Sequence, residues 1–286
     1  MTGRAVSVFA FDDGVDRWRF TRAAAGAALA GTVHRYTAYS ETTQRFTTRR
    51  ELPQTRGVLI INLGDPVELI GAGGDILRVL AGEGFVGGLY TAPSLSRTGG
   101  RQQGVEIGLD LLAMRAFLGA DMAAFTDRVL PLRDVLGPSF AALGQRLGEA
   151  RDDAARFDLL DQAVATRLLA APDTDRAIAW AVARLRRAPA TPVAALAARI
   201  GWGRQHFSER FRRETGLSPR SFARIARFER LVAALPATGK PDWAGLAAAH
   251  GFADQPHLAR EVASLAGLTP TALAARMLPG GGFAEA

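Results

Sequence analysis

The sequence predicts an α+β protein: a β-rich N-terminal barrel or sandwich, a helical connector, and an all-α C-terminal domain built from a repeated two-helix unit. Three observations carry this. One short pattern is written twice near the C-terminus, with Gly201 and Gly251 fifty positions apart, the size of one supersecondary unit. Short β-branched and aromatic runs broken by glycine turns fill the first hundred residues, and apolar residues at helical steps fill the stretch between. With 286 residues, 48% of them hydrophobic, the chain is long enough for two domains with real cores.

From Val6 to about Gly108, the segments AVSVFAF, TVHRYTAY, QRFTT, GVLIINLG, VELIG, ILRVLA and FVGGLY read as strands, separated by DDG, GDP, GAGGD and GEG turns. The GAGGD stretch at 71–75 lacks the lysine and helix that a phosphate cradle needs, so it is a hairpin loop. Asp12, Asp13, Asp65, Glu68, Asp75 and Glu83 sit mostly in these turns and suit turn hydrogen bonding. His34 is the only histidine before Arg199, which excludes a clustered-histidine metal site there and makes His34 a packed or hydrogen-bonded strand residue. No nucleophile, base and orienting group come together, so no catalysis and no cofactor are expected.

Gly104 to Gly137 shifts from strand to helix spacing. Ser139 to Arg187 then reads as helices, with stripes Phe140, Leu143 and Leu147, then Phe157, Leu160, Val164 and Leu168, then Ile178, Val182 and Leu185. These stripes should pack mainly against the N-terminal domain, with one helix left exposed for a dimer contact. The Ala-Pro-Ala-Thr-Pro run at 188–192 is the linker onward.

Each repeat copy opens with a short helix, Leu196, Ala197 and Ile200 in one and Leu246, Ala247 and Ala249 in the other. Gly201 or Gly251 ends it, and an aromatic, Trp202 or Phe252, pins the turn. In the following helix of the first copy, Phe207 and Phe211 face inward, leaving Gln205, Ser208, Glu209 and Arg212 outward. In the second copy Leu258 and Val262 are inward, and Gln255, His257, Ala259 and Arg260 outward. Asp254 is placed as N-cap, with Pro256 in the first turn. Both copies close on Gly-x-Ser/Thr-Pro, Gly216 to Pro219 and Gly267 to Pro270, and Pro219 to Leu235 reads as a long helix joining them. Two helix-turn-helix motifs on a strut make a duplex-reading geometry.

These residues resemble the DNA-binding domain of the AraC/XylS family of transcription regulators, which carries these elements in two such copies. The resemblance covers the last third of the chain and implies two recognition helices set into successive major grooves, with the outward residues facing bases. Two positions depart from the family pattern: Glu209 stands where a basic residue is common, and Val262 replaces the usual inner phenylalanine. The stretch Leu52 to Gly137, ending in an Asp-Arg-Val-x-Pro-Leu segment, is similar to the sensor-like domain of one branch of such regulators, for which no ligand carries over.

Charge agrees with a nucleic-acid partner. The net charge is +7 with Lys240 the only lysine, and from Arg199 to Arg230 nine arginines stand against three glutamates. Arginine offers planar paired donors to guanine and phosphate. Cysteine is absent, which excludes disulfides and thiolate chemistry. No apolar run of membrane-span length and no secretory leader are read, so a cytoplasmic protein without membrane contact is expected.

The expected organisation is a regulatory domain over 1–137, a connector over 138–188, a DNA-binding domain over 189–279 with units at about 193–216 and 242–267, and a flexible tail over 280–286. The expected function is sequence-specific regulation at a promoter. Arg204, Gln205, Ser208, Glu209, Arg212 and Arg213 would meet one groove and its phosphates, and Gln255, His257 and Arg260 the next. Arg227, on the joining helix, could meet only phosphate or solvent. RNA polymerase, a small-molecule effector and a second copy of the chain are the further candidate partners. The alternative is a small-molecule-binding or enzymatic N-terminal domain with the DNA-binding domain as its regulatory appendage. An architectural protein without sequence preference would not need the outward Gln, Ser and His.

Overall fold

The computed structural model describes residues 4–87, 90–137, 139–169, 171, 175–236, 239–279 and 281–285, and only the backbone of 139–141. Gly88 and Leu89 of the expected strand FVGGLY, the side chain of Phe140, and the ends of the expected tail therefore lie outside the described residues. No described helix is long and apolar enough to cross a membrane.

The N-terminal region opens with a hairpin, β1 (Val6–Asp12) and β2 (Arg17–Ala23). Its turn is made by acids, as read: Asp12 accepts from Gly14 N at 2.9 Å, and Asp13 accepts from Asp16 N at 2.9 Å. The Asp16 amide first, then the Arg45 side chain, hold the Asp13 carboxyl down to about 2. β3 (Val33–Thr42), β4 (Thr48–Glu51), β5 (Arg56–Asn62), β6 (Val67–Ile70), β7 (Ile76–Val79), β8 (Gly84–Gly87), β9 (Ser94–Arg97) and β10 (Arg101–Asp110) follow. The GAGGD loop joins β6 to β7 as a hairpin, with Gly74 at φ 85° and donating to Gly71 O.

The strands form two open sheets rather than a closed barrel. One runs β1-β2-β3-β10-β5-β8-β11, where β11 is Leu130–Pro131; the other runs β12-β4-β9-β6-β7, where β12 is Phe283–Ala284. β2 and the first half of β10, RQQG, were not read as strands. Their arginines and glutamines sit at exposed or half-exposed strand positions, while Trp18, Thr21, Ala23 and Val105 supply the buried ones. His34 is a correction: it is exposed on β3 and its side chain makes no hydrogen bond among the described residues.

Helix α1 (Leu111–Leu118) leaves β10 directly and buries Leu111, Met114, Phe117 and Leu118. α2 (Leu132–Leu136) and α3 (Ser139–Glu149) follow. α4 (Asp153–Leu169) packs on the first sheet, with Phe157 stacked 5.8 Å from Tyr36 and Asp161 accepting from the Tyr36 hydroxyl at 2.9 Å. α5 (Arg176–Arg187) does not share that role. Its buried side, Ile178, Ala181, Val182 and Leu185, lies against the C-terminal helices, so the connector divides between the two regions.

The C-terminal region is α6 (Val193–Ile200), α7 (Arg204–Thr215), α8 (Pro219–Ala233), α9 (Trp243–Ala249), α10 (Gln255–Ala266) and α11 (Pro270–Ala275). One apolar core runs from Ala23 and Tyr36 through Phe157 and Leu185 to Phe207, Phe222 and Leu273. The tail expected to be flexible is the main correction. Phe283 is 6% exposed, β12 pairs antiparallel with β4, and Glu285 takes both Arg50 Nε and Nη2 at 2.6 and 2.7 Å. A buried aromatic and a bidentate ion pair anchor these residues to the N-terminal region, which sequence position alone would not reveal.

Candidate nucleic-acid interface

Two copies of one local design position the outward side chains. α6 ends at Gly201, φ 81°, and α7 starts three residues later, at Arg204; α9 ends at His250 before Gly251, φ 73°. In each copy the aromatic after the glycine meets a histidine of the next helix edge-on: Trp202 with His206 at 4.9 Å, and Phe252 with His257 at 5.7 Å. Phe207 and Phe211 are fully buried under α7, as are Leu258 and Val262 under α10. These rows fix which face of each helix stays outside.

On α7, Arg204, Gln205, Glu209, Arg212 and Arg213 are exposed and Ser208 half-buried. Gln205 donates to Glu209 Oε1 at 2.9 Å, so the outward glutamate positions the outward amide, and Ser208 donates to Arg204 O at 2.9 Å. On α10, Gln255 and Arg260 are exposed and His257 is half-buried. Asp254 caps this helix by accepting from His257 N at 2.6 Å. His257 Nδ1 accepts from Ala253 N at 3.1 Å, which leaves Nε2 to carry the ring proton.

The arginines divide into two groups that their spacing did not separate. Arg199, Arg204, Arg212 and Arg220 are exposed and have no acid within 4 Å among the described residues. Arg210, Arg224 and Arg227 are used inside the protein: Arg210 meets Asp175 at 3.1 Å and Arg224 meets Glu261 at 2.6 Å. Arg227 lies over the Phe252 ring at 5.0 Å with Glu261 at 3.9 Å. It therefore braces the second unit against α8 and is not poised for phosphate, contrary to the reading from sequence.

Both units are tied to the N-terminal region at the C-terminal end of the recognition helix, through Gly216 in the first and Ala266 in the second. Gly216 O accepts from Thr126 Oγ1 at 2.7 Å, and a Cβ there would stand 2.7 Å from Met122 O. Next to it, Glu214 is 3% exposed, with Arg115 at 3.1 Å and Arg210 at 3.5 Å. At the second unit Ala266 O accepts from Arg50 Nη1 at 2.9 Å, and a Cβ on Gly267 would stand 3.1 Å from that same nitrogen. Glu214 and Arg50 were missed because their partners lie far away in sequence, and Arg50 is one of 34 arginines in an arginine-rich chain.

Between the two sheets lies a cavity of about 470 Å³, lined from the first sheet by Thr37, Tyr39, Ile60, Phe85 and Glu106 and from the second by Arg49, Arg50, Glu51 and Ser96. Gly281, Gly282 and Phe283 of the tail also line it. Arg50 thus borders the cavity while holding the end of α10.

Residues 196–276 match the helix-turn-helix domain family. No curated protein matches the chain. Among solved structures the chain is similar to an apo variant of ToxT from Vibrio cholerae, with 11% identity, 82% of this chain and 95% of that one covered, and a TM-score of 0.52. It is similar also to Vibrio cholerae ToxT bound to (E)-4-(8-methylnaphthalen-1-yl)but-3-enoic acid, with 12% identity, coverages of 84% and 97%, and a TM-score of 0.50. The AraC-like transcriptional activator CuxR matches at 16% identity over 80% of this chain and 86% of that one, with a TM-score of 0.34. The ToxT likeness is one of fold, a β-rich region followed by helices with the helix-turn-helix units last.

Proposed function

We infer that this chain is a DNA-binding transcription regulator of the AraC type, with a β-rich regulatory region ahead of its helix-turn-helix domain. The carrying observation is the pair of recognition helices, each with its inner row buried and its outer row of amide, imidazole and guanidinium groups open to a duplex. Gln205, Ser208 and Arg212 would read one major groove and Gln255, His257 and Arg260 the next, with Glu209 holding Gln205 in place. Arg204 and Arg213 would hold phosphates, and exposed Arg199 and Arg220 extend that set.

The cavity between the sheets supports a small-molecule effector. The bound acid in one ToxT structure is in keeping with that. An effector there would act through Arg50 and the tail on α10. We assign the chain a regulatory and not an enzymatic role, the reading its helix-turn-helix domain supports. We further propose that it works in the cytoplasm, engages RNA polymerase at its promoter, and pairs with a second copy through α4 and α5, where Leu169 and Trp180 are exposed.

The test is selection of bound DNA followed by footprinting. A monomer should protect two patches about 10 base pairs apart. Arg212→Ala should weaken the selected site by about 1–3 kcal/mol and relax one base pair, at fixed salt. Equal weakening on random DNA would reduce Arg212 to backbone positioning. Arg227→Ala should leave sequence preference intact.

A further inference from the structure

We propose that the cavity between the two sheets is a binding site for a small organic cation, a protonated amine on a ring-sized apolar body, with Glu51 as its counter-ion. This rests on the regulator reading above for its purpose but not for its chemistry.

The argument is one of charge pairing. The guanidiniums bordering the cavity are already engaged. Arg49 donates twice to Glu41, at 3.1 and 2.6 Å, and Arg50 twice to Glu285. Arg35 reaches Glu106 at 3.5 Å, and Arg22 lies 5.5 Å over the Phe20 ring. Glu51 has no such partner. It accepts one hydrogen bond, from Ser96 Oγ at 2.8 Å, and no cation lies within 4 Å of it among the described residues.

A cavity-lining carboxylate that accepts only one neutral hydrogen bond has oxygen lone pairs left for a bound cation to pair with. The charge of Glu51 is felt across the whole cavity. Burial is the largest cause raising the Tyr39 and Tyr90 phenols and the Glu41 and Glu106 carboxyls, and Glu51 adds to the rise in every one of them.

A second, independent feature points to a ligand. Thr37 is 5% exposed, lines the cavity, and its Oγ1 has no hydrogen-bond partner. Buried hydroxyls are rarely left so. Thr37 stands beside Glu106 in the sheet register, and the same row continues through Ile60 to Phe85. Across the cavity, one polar end is therefore followed by an apolar wall. That order suits a ligand with a charged head and an apolar body, in a cavity within the ~300–1,000 Å³ range of small-molecule sites.

The experiment compares two probes of the same body and opposite charge, 4-phenylbutylamine and 4-phenylbutyrate, on the full chain by calorimetric titration and thermal unfolding. The amine should bind and raise the midpoint by about 5 °C near saturation. Glu51→Gln should weaken it at least tenfold, and Thr37→Val, which keeps the side chain's shape, several-fold. Preference for the acid, amine binding that survives Glu51→Gln in a folded variant, or binding of neither probe each overturns the proposal. Footprinting of the same samples separates the two readings: specific DNA binding without amine binding removes the cation site alone, and amine binding without specific DNA binding removes the regulator reading alone.

Discussion

The two helix-turn-helix units repeat one sequence pattern, yet they are fastened to the N-terminal region by different physics. The first is held from inside its own helix. Glu214, almost fully buried at the end of α7, gathers Arg115 from α1 and Arg210 from α7, and Arg210 reaches on to Asp175 at the start of α5. The second is held from outside, by Arg50 on β4 and by the tail strand that returns from beyond α11. A buried charge network has no cheap open state, because an unpaired charge would be left inside. A two-residue strand with a single ion pair, whose acid keeps 21% of its side-chain exposure against 4% for Glu214, has fewer groups to separate and can part at smaller cost. The second unit is thus the one an effector could release, and the cavity touches that anchor.

The largest test of this contrast is Glu214→Ala. Removing the shared acid leaves Arg115 with no acid within 4 Å among the described residues and Arg210 with Asp175 alone. Because Arg115 and Arg210 keep 28% and 35% of their side-chain exposure, the loss should fall at the low end for a broken buried pair, about 3 kcal/mol in urea unfolding. A loss under about 1 kcal/mol would show that both guanidiniums simply rehydrate and that the first anchor is no firmer than the second.

Deleting residues 281–286 should cost less, about 2 kcal/mol, chiefly the burial of Phe283 and the bidentate Arg50–Glu285 pair. Amide exchange should quicken in α10 and α11 and stay unchanged in α7. Equal loss of protection in α7 would mean that the two anchors are one cooperative unit.

What could be read from the sequence follows from how local each signal is. The repeat, the Asp254 cap, the glycine stops and the inward rows are set within a few residues, and each stands in the structure where it was read. β2 was missed because arginines at 17, 19 and 22 interrupt its apolar residues, and because its buried positions, Trp18, Thr21 and Ala23, change face along the strand and break the alternation. The tail was misread because a Gly-Gly-Gly run ahead of Phe283 carries no period, while its partner β4 lies more than 230 residues earlier. The surplus of arginine predicted a basic surface correctly in sum but not residue by residue. Only the fold shows that Arg210, Arg224 and Arg227 are spent on Asp175, Glu261 and Phe252.

The smallest effect concerns acid. Hydrogen bonds from Arg50, and then its charge, hold the Glu285 carboxyl below the ordinary glutamate range. A group whose pKa is lowered on folding stabilises fully above its unfolded value, ~4.3, and loses that contribution as pH falls through the lowered one. Burial acts with the opposite sign on Glu41, Glu106 and Glu229, whose raised carboxyls favour folding as they take up protons on acidification. Whole-protein stability against pH therefore mixes both, and the difference between wild type and Glu285→Gln isolates the tail. That difference should be roughly 1 kcal/mol at pH 7, for a pair that is partly exposed, and should shrink only below about pH 4.5. A difference that fades already between pH 7 and 5 would mean that Arg50 does not hold Glu285 as a charged partner. The tail would then be kept in place by Phe283 alone, and the second anchor would lose its electrostatic half.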